Sequence, residues 1–142
     1  MKVTGAKAHA AHLRRIAGPE MIKAVGAALY TAGQEIEIDA EISITTGAVS
    51  GKKHVASKPG EAPNADSHDL DRGIETVLVE PLKVEVSSNA PHSAALEFGT
   101  SKMAARPFMR PAVKRKKAAA IALVRNAVSK IIRSAGQGNP KG

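Results

Sequence analysis

Cysteine and tryptophan are both absent from this sequence, and Phe98, Phe108 and Tyr30 are the whole aromatic complement of its 142 residues. Without cysteine there are no disulfides and no thiolate zinc sites. With so few rings, the core has to be assembled from Ile, Val, Leu and Ala, which bury less area per side chain. A lean core of that kind points to help from partner subunits, because association with the folded form adds stability by mass action. No apolar run approaches the roughly 18 residues of a membrane span. The opening "MKVTGAKAHAAHLRR" lacks the apolar stretch of a signal peptide. The expectation is a soluble, unprocessed protein with no membrane partner. The length favours one domain over residues 1–142.

Acidic residues are missing from both ends of the chain. Residues 1–18 hold four bases and no acid, residues 98–142 hold 11 bases and no acid, and all 13 acids fall in residues 19–97 with six bases. The net charge of +8 is therefore split into blocks of +4, −7 and +11. Such asymmetry points to nucleic acid or to an acidic protein surface, and the acidic middle of a neighbouring copy would serve.

Along the chain, "AHAAHLRRIAG" reads as a short helix ended by Gly18 within a basic N-terminal segment, residues 1–18. Pro19 then opens a second helix at the position proline favours, with Glu20 near the positive end of the dipole. Ile22, Val25, Leu29, Ala32 and Ile36 recur every three or four residues, which predicts a helix to about Ala40. Ile38, Ile42 and Ile44 alternate with polar residues, so the end also fits a strand. Residues 45–69 are rich in Gly, Pro, Ser, Asn and Asp and predict an extended loop. Its Lys58, Pro59 and Asn64 are placed at a contact with a neighbouring subunit. "IETVLVE" and "LKVEVSS" predict two strands, the second with Leu82, Val84 and Val86 facing inward. A short helical turn ends at Gly99. Pro111 is expected to open a last helix running to about Ser134, and residues 136–142 to form a flexible tail. The fold class is α+β: N-terminal helices and a long C-terminal helix packed on a small antiparallel sheet, with a long central loop.

Residues that carry chemistry are sparse. No glycine-rich phosphate loop is present, since "KPGEAPN" has neither the spacing nor a preceding strand. His9 and His12 lie three apart on a basic segment, which suits solvated surface histidines better than a metal pair. Asp66, Asp69 and Asp71 beside His68 supply oxygen ligands, but their spacing does not match a calcium loop and suits turns and caps. His92-Ser93 lacks a third partner. Glu97 is expected to form a salt bridge with Arg106 or Arg110. The reading is a chain with no catalytic residue, no cofactor and no metal. An enzyme using the aspartates of residues 66–71 with a metal, and a DNA-binding protein using the basic C-terminal helix, are the alternatives. For the latter, no aromatic is interleaved for stacking and no recognition-helix pattern appears.

Both phenylalanines sit in one stretch, "LEFGTSKMAARPFMRPA". Gly99 permits a positive φ. Pro107 and Pro111 push Arg106 and Arg110 toward extended backbone. The segment 106–111 then reads as a stiff strap with Phe108 and Met109 as apolar plugs and Arg106 and Arg110 as bidentate donors. Its alternative role is to seal the chain's own core as the last helix begins. Lys114 and Lys117 share a side with the apolar stripe Ile121, Val124, Val128, Ile131 and Ile132, so the start of that helix projects beyond the core or meets an acidic surface.

This stretch resembles the tail-component family of long-tailed bacteriophages, whose members carry Glu-Phe/Tyr-Gly-Thr and then Arg-Pro-Phe-(aliphatic)-(any)-Pro-Ala before a closing helix. "SKPGEAPNADSHDLDRGI" resembles the central Pro-Gly-x-x-Pro…Asp-x-x-x-Leu-x-x-x-Ile motif of the same family, and "HLRRIAG" its opening. Ser67-His68-Asp69 stands where the family commonly has Thr-Gly before the leucine, and "APHSAALEFG" lacks the family's usual tyrosine. The resemblance makes Glu97, Phe98, Gly99 and Pro111 the core of the motif. It implies a structural protein of the virion neck, made in the bacterial host cytoplasm, that completes the tail and joins it to the head. It implies a homo-oligomeric ring of six or twelve copies, with other neck, connector and tail proteins as partners. A tail terminator ring is the alternative, and contact with genomic DNA in the lumen is the alternative use of the basic residues. The interface residues expected on this reading are Arg106, Pro107, Phe108, Met109, Arg110, Lys114, Lys117, Lys58, Pro59 and Asn64.

Overall fold

The computed structural model describes residues 18–46, 56–63 and 68–136. The expected first helix before Gly18, the histidines at 9 and 12, Asn64, Asp66 and residues 137–142 lie outside them.

The fold is α+β, and one long helix organises it. Helix α1, Pro19–Thr45, begins as expected with proline at its first position and Glu20 in its first turn. It runs one turn past Ala40, and the strand alternative for its end is not realised. Ala40 and Ile44, four residues apart, are fully buried, while Ile38 and Ile42 are more than half exposed. One side of a helix, not one side of a strand, is being covered. A single-turn helix α2, Asp69–Arg72, follows the loop. His68, just before it, sits in the left-handed region at φ 64° with its Nδ1 3.2 Å from Asp71 Oδ2. The tight turn before the leucine is thus kept with histidine in the backbone conformation that glycine adopts most easily.

Strands β1, Ile74–Glu80, and β2, Lys83–Ser88, form an antiparallel hairpin. The register runs from Ile74 opposite Ser88 to Leu78 opposite Val84, then slips at a bulge before Glu80 opposite Lys83. Pro81 and Leu82 make the turn, where proline costs the ladder no donor. Leu82, expected to face inward at the head of the second strand, is in that turn and 53% exposed. Helix α3, Ser93–Phe98, ends at Gly99 with φ 75°, as expected. A Cβ at Gly99 would lie 2.9 Å from the backbone nitrogen of Ala105, so this turn excludes a side chain as well as requiring a positive φ.

Helix α4, Met109–Gly136, lies antiparallel along α1. Arg115 Nε donates to Asp39 Oδ2 at 2.7 Å near one end of the pair, and Leu29 shares a groove with Val124 and Val128 near the other. The hairpin packs on a different face of α1, seated on two glycines seven residues apart. A Cβ on Gly26 would stand 2.6 Å from the carbonyl oxygen of Pro81, and one on Gly33 would stand 2.6 Å from Thr76 Cγ2 and 2.7 Å from Val84 Cγ1. The fully buried core gathers at one end, where Ala40, Ile44, Leu70, Ile74, Ala90, Phe108 and Ala112 meet. Among the described residues, no helix is long and apolar enough to cross a membrane.

Candidate assembly surfaces

The 97–111 stretch turns out to be a fastening inside the molecule. Helix α4 starts at Met109, two residues earlier than expected, which puts Pro111 at its third position, still in the first turn. An α-helix leaves its first four N–H groups without intrahelical partners. Here Glu97, 7% exposed, takes three of them. Its Oε2 accepts from Phe108 N at 2.8 Å and Met109 N at 3.0 Å, and its Oε1 accepts from Arg110 N at 2.9 Å. The fourth position is Pro111, which has no N–H to satisfy. One carboxylate and one proline therefore account for the whole helix start. They also set a negative charge at the positive end of the dipole. The expected salt bridge from Glu97 to Arg106 or Arg110 is replaced by these backbone bonds.

The plugs of the strap also turn toward the chain's own core. Residues 104–107 are irregular chain, residues 109–111 already belong to α4, and Phe108 between them is 1% exposed within the chain's own core. That burial favours the sealing role for Phe108 over docking on a neighbour. Met109 is half-buried against that core. Arg106 is half-buried, and its N–H donates to the Leu96 carbonyl at 2.6 Å. Pro107 is half-buried beside it. Arg110 is exposed, and its guanidinium lies 4.6 Å from the ring centroid of Phe98, itself 63% exposed. That cation–π pair holds the outer side of the fastening.

The described part of the loop, residues 56–63, also turns inward. Gly60, at φ 85°, donates its N–H to the Ala105 carbonyl at 2.9 Å. Ser57 and Pro63 are buried, and Ala62 packs on the core. Lys58 and Pro59 remain exposed at the bend, where Lys58 N–H donates to Glu61 Oε2 at 3.3 Å. A neighbouring subunit is therefore not needed to hold this segment. The loop also helps to position the 104–107 chain that leads into α4.

Of the expected interface residues, Lys114 and Lys117 are exposed on α4. Arg115 between them is engaged with Asp39 of α1. Lys114, Lys117, Ile121, Val124, Val128 and Ile132 follow one another at spacings of three and four, so they form one line down the helix. The line is basic at its start and apolar after it. Ile121 is 47% and Ile132 42% exposed.

A second apolar surface was not anticipated. Between α1 and the hairpin tip, Ile22, Tyr30, Leu78, Val79 and Pro81 line an open groove of about 640 Å³ with Glu80 on its rim. Its legible signal was the Gly26–Gly33 spacing beside the predicted stripe, each glycine four residues after Ile22 or Leu29, which admits the hairpin and leaves the neighbouring large side chains uncovered. Charge divides between these two surfaces. Helix α1 and the hairpin together carry eight acids and two bases, while α4 carries eight bases and no acid. Inside the acidic body, Glu37, Glu41 and Asp71 lie close enough that Glu41 has its pKa raised, by burial first and by the other two carboxylates next. Among the described residues, no cluster of three or more His, Asp or Glu side chains is arranged to hold a metal ion. No family model, curated protein or solved structure matches the chain.

Proposed function

We propose that this chain is a non-enzymatic building subunit of the neck of a long-tailed bacteriophage, forming a ring that completes the tail and joins it to the head. The observation that carries the reading is the pair of unlike surfaces: a basic–apolar line on α4, and an acidic body with an apolar groove between α1 and the hairpin. A ring needs heterologous contacts, in which one face of a subunit meets a different face of the next. Two complementary faces on one chain satisfy that need. The motif resemblance adds the virion context, and the Glu97 fastening gives its paired elements a physical reason. A Glu-Phe-Gly-Thr turn followed by Arg-Pro-Phe-x-x-Pro-Ala starts a long helix at a fixed place and angle, as a repeated tile requires.

The test is electron microscopy of intact particles together with size analysis of the purified chain mixed with neck and tail proteins. The expected result is a ring of six or twelve copies between the portal and the tail tube, whose position also separates a completion ring from a terminator ring. A chain that stays monomeric with every neck partner, and has no density in the particle, overturns the reading.

A second reading is favoured by the eight bases of α4: binding of duplex DNA through phosphates. Affinity measured against salt discriminates, because neutralising several phosphates makes log K fall steeply with log salt. Two of those bases are already engaged, Arg115 with Asp39 and Arg110 over Phe98, which reduces the phosphate-binding face. No binding at low salt ends this reading.

A further inference from the structure

The assembly reading leaves open which faces meet. Resting on it, we infer that the basic–apolar line of α4 on one copy seats in the groove between α1 and the hairpin of the next, head to tail. The two surfaces match in order as well as in kind. On α4 an exposed base, Lys117, is followed one turn later by exposed Ile121, with exposed Arg125 beside it. In the groove the apolar walls, Ile22 and Tyr30 at 38% and Leu78 at 47% exposed, end at the exposed carboxylate of Glu80. Seating Ile121 among those walls brings Arg125 or Lys117 toward Glu80. Lys23 also lines the groove, and Lys83 at the hairpin turn is paired with Glu85 at 3.5 Å, so Glu80 is the one acid of the lining that an incoming base would meet.

A second copy is favoured as the occupant by charge. The chain's own α4 carries bases alone, and its own α1 and hairpin carry a fourfold excess of acids. An apolar contact flanked by opposite charges gains association rate and correct register from those charges. The line on α4 borders α1 on the side where Leu29 lies beside Ile121, Val124 and Val128, whereas the groove opens between α1 and the hairpin. Each subunit can therefore engage two neighbours at once, which is the condition for closing a ring. An amphipathic helix laid into a groove is a recurrent recognition mode.

The test uses two variants of the full chain, each blocking one face. Leu78→Arg places a charge in the groove and leaves the α4 line intact. Ile121→Glu places a charge on the line and leaves the groove intact. Both positions are exposed, and circular dichroism confirms that each variant folds. Analytical ultracentrifugation of the wild-type chain is expected to show self-association. Each variant alone is expected to be weakened at least tenfold, and an equimolar mixture to form a 1:1 dimer and nothing larger. As the chain lacks cysteine, a thiol crosslinker acting on Glu80→Cys combined with Arg125→Cys supplies an independent readout: a ladder of multimers is expected.

Wild-type assembly that both variants leave unchanged overturns this contact while the ring reading stands. Variants that stay monomeric when mixed overturn it in the same way, since they indicate a contact that both substitutions break in every pair, such as a symmetric dimer. A wild-type chain that never self-associates also overturns it, and the particle map decides the ring reading separately.

Discussion

A single carboxylate decides how the longest helix begins. Glu97 accepts three backbone N–H groups that have no other partner, in a buried setting. Replacing it by alanine leaves those donors desolvated and unsatisfied, and one orphaned buried donor costs about 1–3 kcal/mol. Relaxation and water entry recover part of that sum, so Glu97→Ala is expected to lose about 3 kcal/mol in chemical denaturation, with Phe98→Ala, which removes only an exposed cation–π partner, losing less than about 1 kcal/mol. Equal losses would mean that the fastening lies elsewhere. Glu41 acts in the opposite sense. Its pKa is raised by folding, so the ionised carboxylate opposes the fold. That penalty is fully present above the folded pKa and disappears below the unfolded glutamate value of about 4.3. Glu41→Gln is therefore expected to raise the melting temperature at pH 7, with the gain shrinking to nothing as the pH falls below about 4. A gain that persists at pH 3 would assign the effect to packing and not to charge.

At the scale of elements, the hairpin needs a groove cut into α1, and two glycines cut it. In an exposed helix, Gly→Ala gains about 1 kcal/mol. At Gly26 the new methyl would meet the Pro81 carbonyl oxygen at 2.6 Å, and a backbone atom has no rotamer by which to yield. Overpacking of this kind costs typically 1–3 kcal/mol. Gly26→Ala is therefore expected to destabilise by about 1 kcal/mol net, with hydrogen exchange at the hairpin tip rising more than at the Ala40–Ile44 end. Stabilisation by the full helix-propensity gain would show that the hairpin moves freely on α1. The same contacts explain what the sequence discloses. Pro19, Gly99 and the alternation in β2 are local signals, and each marks a real boundary or element. The end of α1 was ambiguous because "IEIDAEISI" satisfies both periods. The contest is settled by Leu70, Ile74 and Phe108, which cover Ala40 and Ile44 and leave Ile38 and Ile42 outside. Glu97 was read as an ion-pair partner because caps are sought within a turn of the helix they serve, and this one reaches across 11 to 13 residues. The role of Gly26 is set by a turn more than fifty residues downstream. Phe108 was divided between docking and sealing, and its burial favours sealing.

For the whole molecule, the distribution of burial matters more than its amount. The dry core lies where α1 ends and α4 begins, while Ile22 and Tyr30 on the first half of α1 and Ile121 and Ile132 further along α4 are all at least 38% exposed. Exposed apolar side chains scattered singly need no explanation, but aligned along one helix and gathered in one groove they mark contact surfaces. If copies cover one another there, the folded state draws stability from its own concentration, by up to about 2.7 kcal/mol when the free partner exceeds its dissociation constant 100-fold. For a domain of this size, 1 kcal/mol corresponds to roughly 2–6 °C. The melting temperature is therefore expected to climb by several degrees as protein is raised from about 1 to about 100 μM. Raising salt from 0.15 to 1 M shortens the screening length from about 8 to about 3 Å, so it should remove part of that climb. The part that remains belongs to apolar contact, which salt does not screen. A melting temperature independent of concentration under both conditions would identify a chain stable by itself, and would remove the reason for covering either surface with a copy of this protein.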